Sequence, residues 1–178
     1  GILLCASVTS AQETRRITFG GVSVDVVVDR PANHIVDVLI TFPGTVGSDA
    51  EIVPAARNIL ARVKEITNRT DMMIVSVAYP QEGRLLGDGI AEAEAALLWV
   101  KEKARKDLKR KVRKIFLIGH SQGGYMVTRL NTMHPTDGVI SNAPGPLNLV
   151  YRCGLEESGQ IQPSAEFRPD RGHQAGLR

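Results

Sequence analysis

Cysteines and long apolar runs are scarce in this sequence, and their scarcity excludes several classes of protein. The 178 residues include two cysteines, Cys5 and Cys153, which are too few for a metal-binding framework or a disulfide scaffold. A bridge between the two stays open as an alternative, although we expect Cys5 to lie outside the folded core. No apolar run approaches the roughly 20 residues of a membrane-spanning helix, so we expect no stable membrane insertion.

Positive and negative side chains are nearly equal in number, so the formal net charge is only +3. Most of the surplus comes from residues 101–114, where basic side chains outnumber acidic ones. An anionic-surface patch is one interpretation of this segment. A solvated helix face, with cations favoured at the C-terminal end, explains it at least as well, and we adopt that interpretation. The charge therefore predicts no nucleic-acid partner.

The length and the two ends of the sequence predict one folded domain with two appendages. Residues 1–11 are apolar and then small, which is typical of the rear part of an export signal, although a buried N-terminal strand fits them too. We expect residues 12–146 to form the core and residues 147–178 an irregular tail. The predicted location is outside the cytoplasm, secreted or periplasmic, with the cytoplasm as the alternative.

Strand and helix patterns alternate through the core. Residues 15–30 predict an antiparallel hairpin that turns at Gly20 and Gly21. Parallel strands follow at residues 35–42, 72–79 and 115–118, and residues 138–144 are one more strand and its exit. Between them we expect amphipathic helices at residues 51–67, at residues 88–108 with Asp88 as N-cap, and after Ser121 as far as His134. This order predicts parallel crossovers with helices on both faces of the sheet.

The most informative stretch lies where the strand at residues 115–118 meets the next helix. The sequence there is Gly-His-Ser-Gln-Gly-Gly, residues 119–124. A sharp strand-to-helix turn needs small residues at Gly119 and Gly123, where the backbones pass closely. Such a turn exposes the Ser121 Oγ and leaves the Gln122 N–H free to face a developing oxyanion. The alternative is an ordinary glycine-rich turn in which Ser121 only caps the helix.

This motif resembles the nucleophile elbow of the α/β-hydrolase family, which includes esterases, lipases and serine peptidases. The resemblance covers roughly residues 17–146. It implies a mainly parallel, doubly wound α/β sheet with an N-terminal antiparallel hairpin, and Ser121 as a nucleophile that forms an acyl-enzyme from a carboxylic ester of short or medium chain. It implies a small ester substrate and neither a metal nor an organic cofactor.

The family's second oxyanion donor comes from the loop after the third strand. We assign it to the Thr45 N–H, with Gly44 permitting the turn, although Pro43 stands where the family often has histidine. The alternative is a plain turn at the end of a strand. The later loop at residues 81–87 is expected near the rim of the site as a substrate wall.

The resemblance breaks down after residue 146. In the family an acid and a histidine follow the elbow after two further strands, and residues 147–178 show no pattern for such strands. We therefore expect a sheet that lacks the last strands. His173 is the candidate base and Asp170 the candidate acid, because their order after Ser121 agrees with the family, whereas their three-residue spacing does not. A frayed tail is the alternative, in which case the chain is a hydrolase scaffold that binds ligands or proteins without turnover.

An uncovered sheet edge has a consequence for assembly. If the sheet ends at the strand of Val139 and Ile140, its edge and the adjacent helix faces have nothing to pack against. The sequence therefore predicts a homodimer, in which the tails of the two subunits exchange.

Overall fold

The computed structural model describes residues 12–84, 89–144, 154–155 and 158–161. Two compact units divide the chain, Gly1–Gly145 and Pro146–Arg178. The described part of the second unit is a short turn, in which the Ser158 and Gln160 N–H groups donate to the carbonyls of Gly154 and Leu155. Several positions singled out above lie outside the described residues: residues 1–11, Cys5, Asp88, Cys153, Asp170 and His173.

The described residues of the first unit contain six strands and four helices. The strands are β1 Glu13–Phe19, β2 Val22–Asp29, β3 Ile35–Phe42, β4 Met72–Ala78, β5 Lys111–His120 and β6 Gly138–Asn142. The helices are α1 Ile52–Thr67, α2 Ile90–Glu102, α3 Ala104–Asp107 and α4 Gln122–Met133, and a 3-10 turn at Asp49–Glu51 precedes α1. None of these helices is both long and apolar enough to cross a bilayer.

The six strands form one mixed sheet in the order β1-β2-β4-β3-β5-β6. The first two strands form the predicted hairpin, and Gly20 and Gly21 at its turn have φ values of 57° and 82°, as a primed turn requires. The β2 strand pairs antiparallel with β4, whereas β4, β3, β5 and β6 pair in parallel. The prediction of a mainly parallel sheet with an antiparallel N-terminal hairpin is confirmed.

Helices cover the two faces of the sheet unequally. Helices α2 and α4 bury one face with Leu97, Trp99 and Leu130. On the other face α1 covers β2, β4 and β3 with residues such as Leu60. Beyond α1 the side chain of Ile140 on β6 is 59% exposed. The sheet is therefore doubly wound, but its second face is covered only in part among the described residues.

The prediction of a single helix that ends at Leu108 is wrong. Helix α2 ends at Glu102, and α3 starts after Lys103. The buried Trp99 indole N–H donates to the Asp107 carboxylate at 2.8 Å. Eight residues span about 12 Å along a continuous helix, too far for this bond, so the break at Lys103 lets the two side chains meet.

The basic segment at residues 101–114 is also not one solvated helix face. Its last part opens β5, where Lys111 pairs with Ile35. Arg113 donates two hydrogen bonds, each 2.8 Å long, to the carboxylate of Asp37 on β3. Arg110 donates to the Pro31 carbonyl. The charged residues that open β5 therefore form part of the fold.

Asp37 is only 5% exposed. Because its carboxylate is buried and paired, we predict that acid lowers the stability of the fold. Its hydrogen bonds from Arg113 outweigh burial and hold its pKa below the ordinary value of 3.8. Because the pKa is lowered in the folded state, its contribution is complete above the unfolded pKa and is lost as pH falls through the folded pKa. We expect Asp37→Asn to lower Tm by a few degrees at pH 7, and the difference from the parent to shrink once the pH falls below that ordinary value.

Calorimetric scans at neutral and acid pH measure this difference. Asp25→Asn is the matched control, because the Arg16–Asp25 pair lies on the surface and such pairs contribute little. An Asp37→Asn difference that does not change with pH would contradict the assignment.

Candidate active site

Ser121 occupies a strained turn between β5 and α4. Its φ and ψ angles are 52° and −117°, a region that residues with a Cβ rarely adopt. Its N–H donates to the carbonyl of Asn142 on β6, and its own carbonyl accepts from Tyr125 in the first turn of α4. The Ser121 side chain makes no capping hydrogen bond to α4, although the residue stands at the N-cap position. The structure therefore disagrees with the interpretation of Ser121 as an ordinary N-cap.

Two glycines bring three backbone segments together around this turn. A Cβ placed on Gly119 would lie 2.0 Å from the Gly123 carbonyl oxygen. A Cβ placed on Gly123 would lie 2.1 Å from the carbonyl oxygen of Phe42, at the end of β3. Only glycine fits at both positions, so the spacing of the motif follows from contact between backbones.

Gly124 is a third glycine with close contacts at this turn, and the sequence pattern did not indicate its role. A Cβ on Gly124 would lie 2.9 Å from the Cα of Pro144 and 3.1 Å from the Ser141 Oγ. The Ser141 hydroxyl donates to the Gly124 carbonyl at 2.9 Å. Gly124 therefore lets the segment after β6 approach α4. The second glycine of the Gly-Gly pair was the only local signal for this contact.

The loop after β3 passes directly beside Ser121. A Cβ on Gly44 would lie 3.2 Å from the Ser121 Cβ. Thr45 follows, and its hydroxyl donates to the Gln122 Oε1 at 3.2 Å. The Gln122 N–H precedes the first hydrogen bond within α4, so it is one of the unsatisfied donors at a helix N-terminus. The structure thus brings together Gly44, Thr45, Ser121 and Gln122.

The loop after β4 holds the loop after β3 in place, which the sequence did not reveal. The Gln81 side chain donates to the Gly44 carbonyl at 3.2 Å and accepts from the Val46 N–H at 2.9 Å. The buried Tyr79 hydroxyl donates to the Pro43 carbonyl. Burial raises the pKa of Tyr79, so the phenol stays protonated and remains a donor at physiological pH.

Asp49, in the 3-10 turn that follows the loop after β3, anchors the loop after β4. Its carboxylate accepts the N–H groups of Gln81 and Glu82 at 2.8 and 2.9 Å. These two hydrogen bonds lower the pKa of Asp49, so the carboxylate is ionised at neutral pH. The predicted substrate wall at residues 81–87 therefore includes Gln81 as a structural support, and residues 85–88 lie outside the described part of the chain.

The three described histidines make their contacts away from the Ser121 hydroxyl. The His120 ring lies 3.4 Å from the Asn142 amide nitrogen. His134 is the C-cap of α4, as predicted, and its ring lies 2.6 Å from the Glu94 carboxylate. His34 precedes β3 at the opposite end of the sheet, where its carbonyl accepts from the Lys111 N–H. None of the described histidines therefore bonds to the Ser121 hydroxyl.

A groove of about 680 Å³ lies on the α1 side of the sheet, beside the turn at Ser121. Its polar lining includes Thr45, His120 and Asn142, and its apolar lining includes Ile59 and Ile118. The described residues contain no group of three or more His, Cys, Asp or Glu side chains placed to hold a metal ion.

Solved structures with the same fold are α/β-hydrolases. Est1E from Butyrivibrio proteoclasticus matches with a TM-score of 0.57 and 22% identity, over 74% of this chain and 51% of that one. An alpha-beta serine hydrolase homologue from Coxiella burnetii matches with a TM-score of 0.51 and 18% identity, over 74% of this chain and 62% of that one. A thermostable esterase from Pseudomonas putida matches with a TM-score of 0.54 and 22% identity, over 72% of this chain and 41% of that one.

These matches show that the chain has the α/β-hydrolase fold, as the motif predicted. The chain spans about half the length of these solved structures, between 41% and 62%. No protein-family model and no curated protein matches the sequence.

The contact at Gly123 predicts a large effect from a single methyl group. Gly123→Ala places a Cβ against the Phe42 carbonyl. Because the obstructing atom belongs to the backbone, no side chain can move away to make room. We expect the free energy of unfolding to fall by about 3 kcal/mol or more, as in severe overpacking. Urea denaturation measures it.

Gly154→Ala is the control for this variant. A Cβ at Gly154 has no neighbour within 4 Å, so the substitution should leave stability nearly unchanged. A Gly123→Ala protein as stable as the parent would show that the three backbone segments are less close than described.

Proposed function

We propose that the chain is a serine hydrolase that cleaves carboxylic esters of short or medium acyl chains, with Ser121 as its nucleophile. The observation that carries the proposal is the strained conformation of Ser121 beside the loop of Gly44 and Thr45. Strain of this kind concentrates at functional sites, because the surrounding structure has to maintain it. The esterases among the structures of the same fold support this class of substrate.

In the proposed reaction the Ser121 Oγ attacks the ester carbonyl carbon, and its proton passes to the imidazole of His173, which Asp170 orients. The carbonyl oxygen becomes an oxyanion that accepts from the Gln122 and Thr45 N–H groups. The tetrahedral intermediate then collapses, and the alcohol leaves with the proton from the imidazole. Water attacks the acyl-enzyme by the same route and releases the acid. Each oxyanion donor contributes about 100-fold or more to kcat.

A second candidate function is binding without turnover. The three described histidines contact other partners, so the base of the first proposal depends on His173, which lies outside the described residues. Without a base, the same scaffold would bind an acyl or ester ligand, or another protein, and leave it intact. The two proposals differ in whether the Ser121 hydroxyl is activated.

Reaction with a fluorophosphonate ester tests the first proposal. We expect one adduct per chain at Ser121 by peptide mass spectrometry, and none in Ser121→Ala. We expect His173→Ala to lower ester turnover by about a million-fold, as removal of the histidine from a catalytic triad does. His134→Ala is the matched control and should keep both labelling and turnover, because His134 contacts Glu94.

Two results would count against this mechanism. The absence of an adduct in folded protein would favour binding without turnover. Full turnover by His173→Ala would remove His173 as the base and leave Ser121 as the nucleophile.

We also propose that the chain forms a homodimer through the edge of β6. Among the described residues, β6 pairs with β5 alone, so its other edge presents free backbone groups. The side chain of Ile140 on β6 is 59% exposed. Apolar side chains beside an open edge favour pairing with a second chain.

Light scattering at micromolar concentration measures the assembly. We expect a dimer for the parent chain and a shift towards monomer for Ile140→Lys, because the charge would face the partner. Ile35→Lys is the matched control, since Ile35 is 56% exposed at the N-terminal end of β3, away from the β6 edge. A monomeric parent chain would overturn the dimer.

A further inference from the structure

The side-chain amide of Gln81 spans the loop that carries Thr45. Its Nε2 donates to the Gly44 carbonyl at 3.2 Å, and its Oε1 accepts from the Val46 N–H at 2.9 Å. One planar amide thus bonds to the backbone on both sides of Thr45. Only a side chain with a donor and an acceptor at this spacing makes both bonds at once.

The first of these bonds fixes the orientation of one peptide group. The Gly44 carbonyl and the Thr45 N–H belong to the same planar peptide, and none of the described peptide bonds is cis. In a trans peptide the carbonyl and the N–H point in opposite directions. A Gly44 carbonyl held by Gln81 therefore directs the Thr45 N–H to the other side of the loop.

This peptide needs an external constraint because a glycine precedes it. Without a Cβ, Gly44 populates more backbone conformations than any other residue would, so rotation of its peptide costs little. Such a rotation would exchange the positions of the Thr45 N–H and the Gly44 carbonyl. A carbonyl that faced the reacting group would repel an oxyanion.

Gln81 is itself held in place by the neighbouring backbone and side chains. The Asp49 carboxylate accepts the Gln81 N–H at 2.8 Å and the Glu82 N–H at 2.9 Å. The Tyr79 hydroxyl donates to the Pro43 carbonyl, two residues before Thr45 in the loop that Gln81 spans. The Gln81 backbone is therefore held by Asp49, and the two bonds of its side chain restrict the loop of Gly44 and Thr45.

We propose that Gln81 is a positioning residue that holds the Gly44–Thr45 peptide with its N–H towards the oxyanion formed at Ser121. The inference rests on the proposed function, in which the Thr45 N–H is an oxyanion donor. Gln81 acts through the peptide and does not touch the substrate. Its removal therefore affects the transition state more than the binding of the ester.

Three variants separate this role from a general loss of loop structure. Gln81→Met keeps the length of the side chain and removes both bonds. Gln81→Glu keeps an acceptor for the Val46 N–H but loses the donor to the Gly44 carbonyl at neutral pH. Glu51→Ala is the matched control, because it removes the bond from the Gly47 N–H in the same loop and leaves the Gly44–Thr45 peptide alone.

Steady-state ester hydrolysis is the first measurement. For Gln81→Met and Gln81→Glu we expect kcat to fall at least about tenfold, a part of the loss for a removed oxyanion donor, with KM within about twofold. Glu51→Ala should retain the parent kcat. Relative to the parent, kcat of Gln81→Glu should recover as pH falls, because the protonated carboxyl donates again. An unchanged kcat in Gln81→Met with an active parent would overturn the role of Gln81 and leave the proposed function standing.

The amide resonance of Thr45 in ¹⁵N-labelled protein tests the positioning without turnover. We expect it to shift in Gln81→Met and to stay in place in Glu51→Ala. If the parent neither hydrolyses esters nor reacts at Ser121 with the fluorophosphonate, the proposed function fails, and a shifted resonance still supports the orientation of the peptide. An unshifted resonance in Gln81→Met would overturn the positioning in either case.

Discussion

The contact of backbone with backbone at Gly119 and Gly123 is the constraint on which the candidate site depends. Gly119 lies against the Gly123 carbonyl, and Gly123 lies against the Phe42 carbonyl at the end of β3. The first contact forces the chain to turn sharply between β5 and α4, which places Ser121 at a positive φ. The second contact fixes the height of that turn relative to β3. The loop after β3 therefore begins beside Ser121.

The order of the strands turns this constraint into a site. Because β4 lies next to β3 and parallel to it, the loops that follow these strands start side by side at the same end of the sheet. Residues of the β4 loop then bond to the β3 loop, as Gln81 does to Gly44 and Val46. The polar network is made almost entirely of side chains that hold backbone groups. Rigid backbone donors of this kind suit an oxyanion, since they need little reorganisation when charge develops.

Local patterns were enough to predict the elements that local chemistry determines. The hairpin at Gly20 and Gly21 and the turn at Ser121 each need particular residues within a few positions of each other. The features that the sequence did not reveal depend on contacts between distant residues. Gln81 meets Gly44 across 37 residues. The break after α2 lets Trp99 donate to Asp107, a residue eight positions later that a continuous helix would keep out of reach.

The start of β5 is another place where the local sequence pattern did not predict the structure. Residues 111–114 are mostly basic, and their composition alone is compatible with a solvated helix end. Asp37 on β3 favours the extended structure, because its buried carboxylate needs cationic partners and receives two hydrogen bonds from Arg113 on β5. Composition could not show this, since the partner lies 76 residues earlier in the chain.

The conformation of Ser121 separates the two interpretations that the motif left open. A serine that only caps a helix has an extended backbone, and its Oγ accepts a hydrogen bond from an N–H group of the first turn. Ser121 has a φ of 52° and makes no capping bond, so it carries the cost of strain without the gain of a cap. Three close glycine contacts hold Ser121 in this strained conformation, and the Oγ stays free for another partner. The conformation of Ser121 therefore favours a reacting group over a structural one, whichever residue supplies the base.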